Sequence, residues 1–375
     1  LYLNNNQLTS FDGTGLSSLT YLNLDGNQLT SFDGTGLSSL TQLYLPNNQL
    51  TSFNGTGLSS LTQLYLHNNQ LTSLSGSTFP ESLTQLNLYD NQLTSFDGTG
   101  LSGLTWLGLY YNPLVSFNGG DMSSLLSLDF TNSDMEGEGA ITTLESFDGT
   151  GLTSLTYLNL GNNPLVSFNG GDLPFTLLSF PNLGITTLES FDGGNMTGLT
   201  ELNLSANQLT SFDGTGLTSL TYLEIQNSQL TSLNGFTFPE SLTELNLSAN
   251  QLTSLSGSTF PESLTDLYLE NNQFTSFDGT GLSSLTYLNL DGNQLTSFDG
   301  TGLSSLTQLF LIGNQLDASD NDLILAQLDD NGVENGYFFG TYDANDETQA
   351  LLRTSGSNSD YNSLISKGWA INQPA

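Results

Sequence analysis

Leucine recurs along this chain on a regular beat. From Leu19 the pattern L-x-x-L-x-L-x-x-N-x-L sets Leu19, Leu22, Leu24 and Leu29 around a polar Asn27. It re-enters at Leu40, Leu61, Leu83, Leu104, Leu125, Leu155, Leu177, Leu199, Leu220, Leu242, Leu264, Leu285 and Leu306, mostly in steps of 21 or 22 residues, and an incomplete copy enters at Leu1. The alternation Leu22-Asn23-Leu24 puts both leucines on one face of a short strand and Asn23 on the other. One such strand cannot bury its apolar face alone, so neighbouring copies must stack and share a core. The pattern predicts a strand, a turn and a return path in every unit.

A second apolar column lies on the return path. Phe11, Phe32, Phe53, Phe96, Phe117, Phe147, Phe168, Phe191, Phe212, Phe277 and Phe298 hold one repeat position, with Leu74, Leu233 and Leu255 in place of Phe elsewhere. Stacked rings there would fill the other half of the core. D-G-T-G-L follows, as at Asp33 to Leu37, and reads as turn chemistry: the carboxylate accepts from a backbone N–H two residues on, and glycine supplies positive φ. Ser75 to Ser82 and Ser256 to Ser263 replace it with S-G-S-T-F-P-E-S, adding one residue.

So many L-x-x-L-x-L-x-x-N-x-L units in register resemble the leucine-rich repeat family. The resemblance implies an α/β solenoid, mostly β and irregular: a curved rod of about 15 parallel-stranded repeats spanning 1–316. At ~4.8 Å per strand it would run roughly 70 Å. It also implies that Asn27 and its counterparts turn inward to satisfy backbone groups at the bend, with Ser133 and Ser228 standing in at two units. Residues 317–375 read as a small α/β capping module. Ser319 to Asp322 begins a capped helix ending near Gly332, Gly336 to Gly340 is a strand, Ser359 to Lys367 a second helix stopped by Gly368, and Trp369 to Ile371 a final strand. Its L-D-x-N-G-V-x-N-G and x-L-x-x-K-G-W segments resemble a module that follows repeats in bacterial and phage-encoded members, without cysteines.

Residues 125–198 break the rhythm. The unit at Leu125 is 30 residues long, its excess an acidic, Gly-rich segment around Asp134 to Ala140 that reads as a surface loop. The unit at Leu177 lacks the inward Asn and carries Pro181 in its strand pattern, and both rejoin through I-T-T-L-E-S-F-D-G at Ile141 and Ile185. A local break in curvature is expected there. By contrast, Leu285 to Leu309 repeats Leu19 to Leu43 residue for residue, which points to internal duplication.

Composition narrows the function. The chain of 375 residues has no cysteine, which excludes disulfide-bonded caps and thiol or Cys–zinc chemistry. Its formal charge is −35, and Arg353 and Lys367 are its only bases. A phosphate-binding surface needs cations, so nucleic acid and direct contact with anionic membranes are excluded as partners. Such acidity suits a salty exterior, and an extracellular or cell-surface setting is expected. No signal peptide or membrane-spanning run is visible, and a start at Leu1 inside a repeat suggests a fragment or processed product.

No catalytic motif appears. The single histidine, His67, lies at a strand exit without a cysteine or basic neighbour in its repeat, and G-x-S-x-G, Walker and H-E-x-x-H patterns are missing. A non-enzymatic protein without cofactor is expected. Calcium is the alternative: stacking would align Asp12 with Asp33, Asp192 with Asp213 and Asp278 with Asp299. Carboxylates roughly 5 Å apart repel by about 1 kcal/mol in water, and a hard cation would relieve this. Asn54, Asn118 and Asn169 share that column and favour a turn role. The outward positions instead offer aromatics: Trp106 on a strand, Tyr110 and Tyr111 at its exit, Tyr89 one repeat earlier, and Tyr65. These five form the candidate binding cluster of an extracellular recognition or adhesion protein that takes a protein or glycan partner on its concave face. The alternative is a structural component, a virion decoration or fibre or a cell-surface layer, self-assembling or attached to a larger particle at the virion surface.

Overall fold

The structure is a computed structural model that describes residues 1–75, 77–130, 144–160, 163–179, 188–340, 351 and 353–372. The acidic segment around Asp134 to Ala140, Ser133, and the junctions at Ile141, Pro181 and Ile185 lie outside the described residues. The chain forms two compact units: Leu1–Phe175 with Asn182–Met196, and Thr176–Pro181 with Thr197–Ala375.

In the first unit the leucine pattern becomes parallel strands of three residues. Tyr21–Asn23, Gln42–Tyr44, Gln63–Tyr65, Gln85–Asn87 and Trp106–Gly108 form one sheet in that order, and Tyr2 bridges to Asn23. Their central leucines stand in register, Leu22 beside Leu43, Leu64, Leu86 and Leu107, and all are buried. Ser127–Asp129 pairs with Tyr157–Asn159 in the same manner. A fully buried leucine contributes about 1.5–3 kcal/mol, so the column is the main stabilising feature of each turn.

The return path is more ordered than a turn-and-loop reading suggests. Ser95–Asp97, Ser116–Asn118, Ser146–Asp148, Ser167–Asn169 and Ser190–Asp192 pair in parallel as a second sheet, with the phenylalanines in register at its centre. Phe117 and Phe147 stack at 5.5 Å, and Phe147 and Phe168 at 5.4 Å. One expectation is corrected here. Leu74 and Leu255 do not take over the aromatic place; the S-G-S-T-F-P-E-S segments return a ring to it from five residues downstream. Phe79 stacks on Phe53 at 6.2 Å, and in the second unit Phe260 stacks on Phe238 at 5.2 Å. The ring before proline swings into the space that the shorter leucine leaves.

Glycine is required where these turns crowd each other. Gly36 has φ +87°, and a Cβ there would stand 2.9 Å from the Gly13 carbonyl oxygen of the turn stacked on it. A Cβ on Gly34 would meet Leu58 Cγ at 2.7 Å.

The inward asparagine lies where the motif predicts. Asn48 donates from Nδ2 to the carbonyls of Leu24 (3.0 Å), Leu45 (3.1 Å) and Pro46 (3.0 Å), while its Oδ1 accepts from the Leu29 N–H at 3.0 Å. Each such amide staples two consecutive turns. Ser228 is too short to span them, and its buried hydroxyl has no partner.

In the second unit a nine-stranded parallel sheet runs from Leu177–Ser179 through Glu201–Asn203, Tyr222–Glu224, Glu244–Asn246, Asp266–Tyr268, Tyr287–Asn289 and Gln308–Phe310 to Tyr337–Phe339 and Ala370–Ile371. The final two strands lie after residue 316 and extend the repeat sheet without a break. Helix α1, Ala318–Asp330, is capped by Asp317 rather than at Ser319. The Asp317 carboxylate accepts from the N–H groups of Ser319 and Asp320, and Asp320 returns the bond to the Asp317 N–H at 2.8 Å. Helix α2, Asn358–Ser366, ends before Gly368 at φ +86°. Lys367 Nζ meets the Asp329 carboxylate of α1 at 2.6 Å, and Asn331 donates to the Leu303 carbonyl at 3.0 Å, tying the end of α1 to the repeats.

Candidate functional site

The first and third residues of each leucine strand face away from the core, so their chemistry is free of packing demands. In the first unit the first positions are Tyr21, Gln42, Gln63, Gln85 and Trp106, and the third are Asn23, Tyr44, Tyr65, Asn87 and Gly108. In-register strands place equivalent side chains ~4.8 Å apart, which is also a ring-stacking distance. The rings use it. Tyr2 and Tyr21 lie 4.9 Å apart, Tyr21 and Tyr44 5.4 Å, and Tyr44 and Tyr65 4.4 Å at 11° between planes. A second run at the strand exits joins His67 to Tyr89 (4.4 Å, 16°) and Tyr89 to Tyr110 (4.8 Å, 6°), with Tyr111 edge-on at 5.6 Å. Tyr65 meets His67 edge-on at 6.4 Å and links the two runs.

The structure therefore brings four of the five candidates, Tyr65, Tyr89, Tyr110 and Tyr111, into one aromatic ribbon. Trp106 stands apart from it. Its indole, 40% exposed, lies over Gly108, where a Cβ would stand 2.8 Å from the ring, and no ring contact joins it to the tyrosines among the described residues. The sequence reading missed Tyr2, Tyr21, Tyr44 and His67 as members. Their signal is equal position in successive repeats, which parallel register converts into contact.

Burial governs the titration of the ribbon. Desolvation raises the hydroxyl pKa values of Tyr21, Tyr44, Tyr89 and Tyr110. It lowers that of His67, against the opposing pull of Asp25 and Asp90. The same surface sets hydroxyls beside amides, with Tyr65 donating to Gln85 Oε1 at 3.0 Å. Tyr111 holds φ +56°, a left-handed conformation that Asn47, Asn68 and Gly26 adopt at the same repeat position.

The second unit builds the equivalent face from acids. Glu201, Tyr222, Glu244, Asp266 and Tyr287 take the first positions, and Glu224 and Tyr268 are among the third. Glu224 is 8% exposed and accepts from the Tyr222 hydroxyl at 2.7 Å and from the side-chain amides of Asn203 and Gln226, each at 2.5 Å. Burial, then the charge of Glu244, pushes Tyr268 up to about 12. Glu244 is raised by burial and by Asp266 and Glu224 beside it. Burial also raises Glu270, whose Oε2 has no hydrogen-bond partner. Asp291 is pushed up to about 6, by burial first and further by Glu270, although its Oδ1 accepts from the Ile312 N–H at 2.6 Å.

The calcium candidates sit in the D-G-T-G turns. Asp12, Asp33, Asp213, Asp278 and Asp299 each accept through Oδ1 from the N–H of the threonine two residues on, at 2.8–2.9 Å, and Asp192 accepts from Gly194 at 2.9 Å. The threonine side-chain and backbone bonds hold the first five carboxyls below the usual range. Among the described residues no group of three or more His, Cys, Asp or Glu side chains is placed to hold a metal ion, and no helix is long and apolar enough to cross a membrane.

Models of the leucine rich repeat match residues 59–114, 218–274, 240–295 and 262–316, a two-copy form matches 38–79, and a single repeat matches 18–40. The chain belongs to the leucine-rich repeat family. Among solved structures it is similar to a leucine-rich repeat protein of Leptospira interrogans, with 26% identity over 87% of this chain and 81% of that one and a TM-score of 0.35. It is also similar to an internalin from Listeria monocytogenes (22% identity, 91% and 88% covered, TM-score 0.38). A third is YopM, a leucine-rich effector protein from Yersinia pestis (25% identity, 84% and 77% covered, TM-score 0.36). No curated protein sequence matches it significantly.

Proposed function

We propose that this chain is a non-enzymatic recognition module that binds a protein partner through the outward face of its leucine sheet, with the aromatic ribbon of the first unit as anchor. The observation that carries the reading is the run of ring contacts from Tyr2 to Tyr111. Tyrosine gives large contact area for two side-chain torsions, and rings already held by their neighbours lose little further freedom on binding. Gln42, Gln63, Gln85 and Asn23 flank the rings with amides for hydrogen bonds.

Ring orientation favours a protein over a glycan. A sugar stacks on a free ring face, and here the faces of Tyr44, Tyr65, Tyr89 and Tyr110 are turned toward one another, leaving edges and hydroxyls outward. Edges and hydroxyls suit backbone carbonyls and mixed side chains. The high negative charge agrees with a protein working outside the cell, and an extracellular setting is part of this proposal.

The test is a paired substitution within the ribbon, Tyr89→Ala with Tyr110→Ala, against a partner isolated by cross-linking to the wild-type protein. We expect binding to weaken by about 2 kcal/mol or more, as for interface anchors, with the fold retained by circular dichroism. Unchanged affinity in a folded variant would move the interface elsewhere.

A further inference from the structure

We propose that the outward sheet face of the second unit docks a Lys/Arg-bearing segment of a protein partner. This goes beyond the ribbon reading and stands on different residues. The two units use the same repeat and differ in what they place outward. On the first unit the two columns of the five-stranded sheet are uncharged, from Tyr21 and Asn23 to Trp106 and Gly108. On the second, Glu201, Glu224, Glu244 and Asp266 occupy the same columns; at the strand exits both units carry acids, Asp25 and Asp90 on the first and Glu270 and Asp291 on the second.

The arrangement is costly in the free protein. Glu244 and Asp266 are direct partners on adjacent strands, and like charges placed opposite each other destabilise a sheet. Glu270 Oε2 is buried without a donor. Yet Lys367 and Arg353, the only Lys and Arg of the chain, are engaged within residues 317–375, Lys367 on Asp329 and Arg353 with Asn358 and the ring of Tyr361. No side chain of this protein supplies the missing cation to that face among the described residues.

Aromatic rings alternate with the acids. Tyr268 and Tyr287 touch at 4.7 Å, and Phe310 continues the run at 5.3 Å. Rings beside carboxylates match the two-part chemistry of lysine and arginine, whose apolar stems cover a ring while the charged head reaches an acid. A flexible surface acid run would attract any cation. Here Glu224 is held in place by three donors beside Tyr222, which fixes its carboxylate within that face.

The test uses a fluorescent peptide of alternating Arg and Gly as the probe, titrated by anisotropy at physiological ionic strength. Three forms of the full chain are compared: wild type, Glu244→Gln with Asp266→Asn, and Asp278→Asn with Asp299→Asn. Both variants remove the same charge, and both place amides where sister repeats already carry Gln or Asn, as at Gln42, Gln63, Asn54 and Asn118. We expect the sheet-face pair to weaken binding about tenfold, the equivalent of ~1.4 kcal/mol, and the turn pair to leave it nearly unchanged. Equal losses in both would mean that net charge alone attracts the probe, and no loss in either would place the peptide elsewhere; each overturns the proposal. Tyr89→Ala with Tyr110→Ala is expected to leave this titration unaltered, so failure here and failure of the ribbon reading are separable.

Discussion

Tyr111 carries an unfavourable backbone for its side chain. Its φ of +56° suits the Asn or Gly found at that place in other repeats, and a bulky residue in the left-handed region costs about 1–2 kcal/mol. Strain of this kind is retained where a side chain serves something other than stability. Tyr111→Asn is therefore expected to raise stability by about 1 kcal/mol in urea melts while weakening partner binding. Asp291 makes the complementary case. It sits in a stretch identical to that of Asp25, yet Asp25 accepts from Asn47 at 2.8 Å, whereas Asp291 is half-buried and also stands next to the charge of Glu270. Its pKa is raised in the folded state to about 6, so the folded protein binds the proton more tightly than the unfolded chain. The stability linked to this proton is fully present below the unfolded value near 4, and is lost as pH rises through about 6. Asp291→Asn is expected to melt higher than wild type at pH 7, with the gap closing toward pH 4. A gap that does not change with pH would contradict this. Sequence could not separate the two aspartates, because their difference lies in the adjacent repeat and not in their own.

At the scale of the element, the asparagine ladder and the two sheets hold successive turns together. Asn69 donates to the carbonyls of Leu45 (3.0 Å) and Leu66 (2.9 Å) and accepts from the Leu50 N–H at 3.0 Å. Asn69→Ala strands several buried groups and is expected to cost about 3 kcal/mol, read from the urea midpoint. Ser228→Asn should do the reverse, restoring the staple at a turn that lacks it and adding about 1 kcal/mol. The leucine strands and the inward amides were legible in the sequence, because a period of two over Leu22-Asn23-Leu24 and a recurring Asn each have one physical solution. The second sheet was not. Ser-Phe-Asp offers a single apolar residue and no alternation, and the same three residues pair as a strand at Ser95–Asp97 but not at Ser10 to Asp12 or Ser31 to Asp33. Likewise Phe79 and Phe260 could not be placed from their own repeats. The space that each fills is defined by the ring of a neighbour.

For the whole molecule, charge and surface chemistry decide more than packing does. With a formal charge of −35, self-repulsion destabilises the compact state and is screened by salt. Melting temperature is expected to rise with added NaCl. Millimolar Ca²⁺ at matched ionic strength is expected to add nothing further, because Asp33, Asp278 and their counterparts already accept from their own turns. A calcium-specific rise would return metal to those turns. Of the candidate site, the aromatic character of the region from Tyr65 to Tyr111 was readable along the chain. Its continuity was not, since Tyr44 reaches Tyr65, and His67 reaches Tyr89, only through strand register. The ribbon as recognition surface is the central claim. It is tested most directly by affinity of the cross-linked partner for Tyr89→Ala with Tyr110→Ala, beside a control carrying Asp12→Asn with Asp33→Asn in the turns of the same unit. Binding lost in the first and kept in the second is the predicted result. Binding kept in the first, or lost in both, would contradict it.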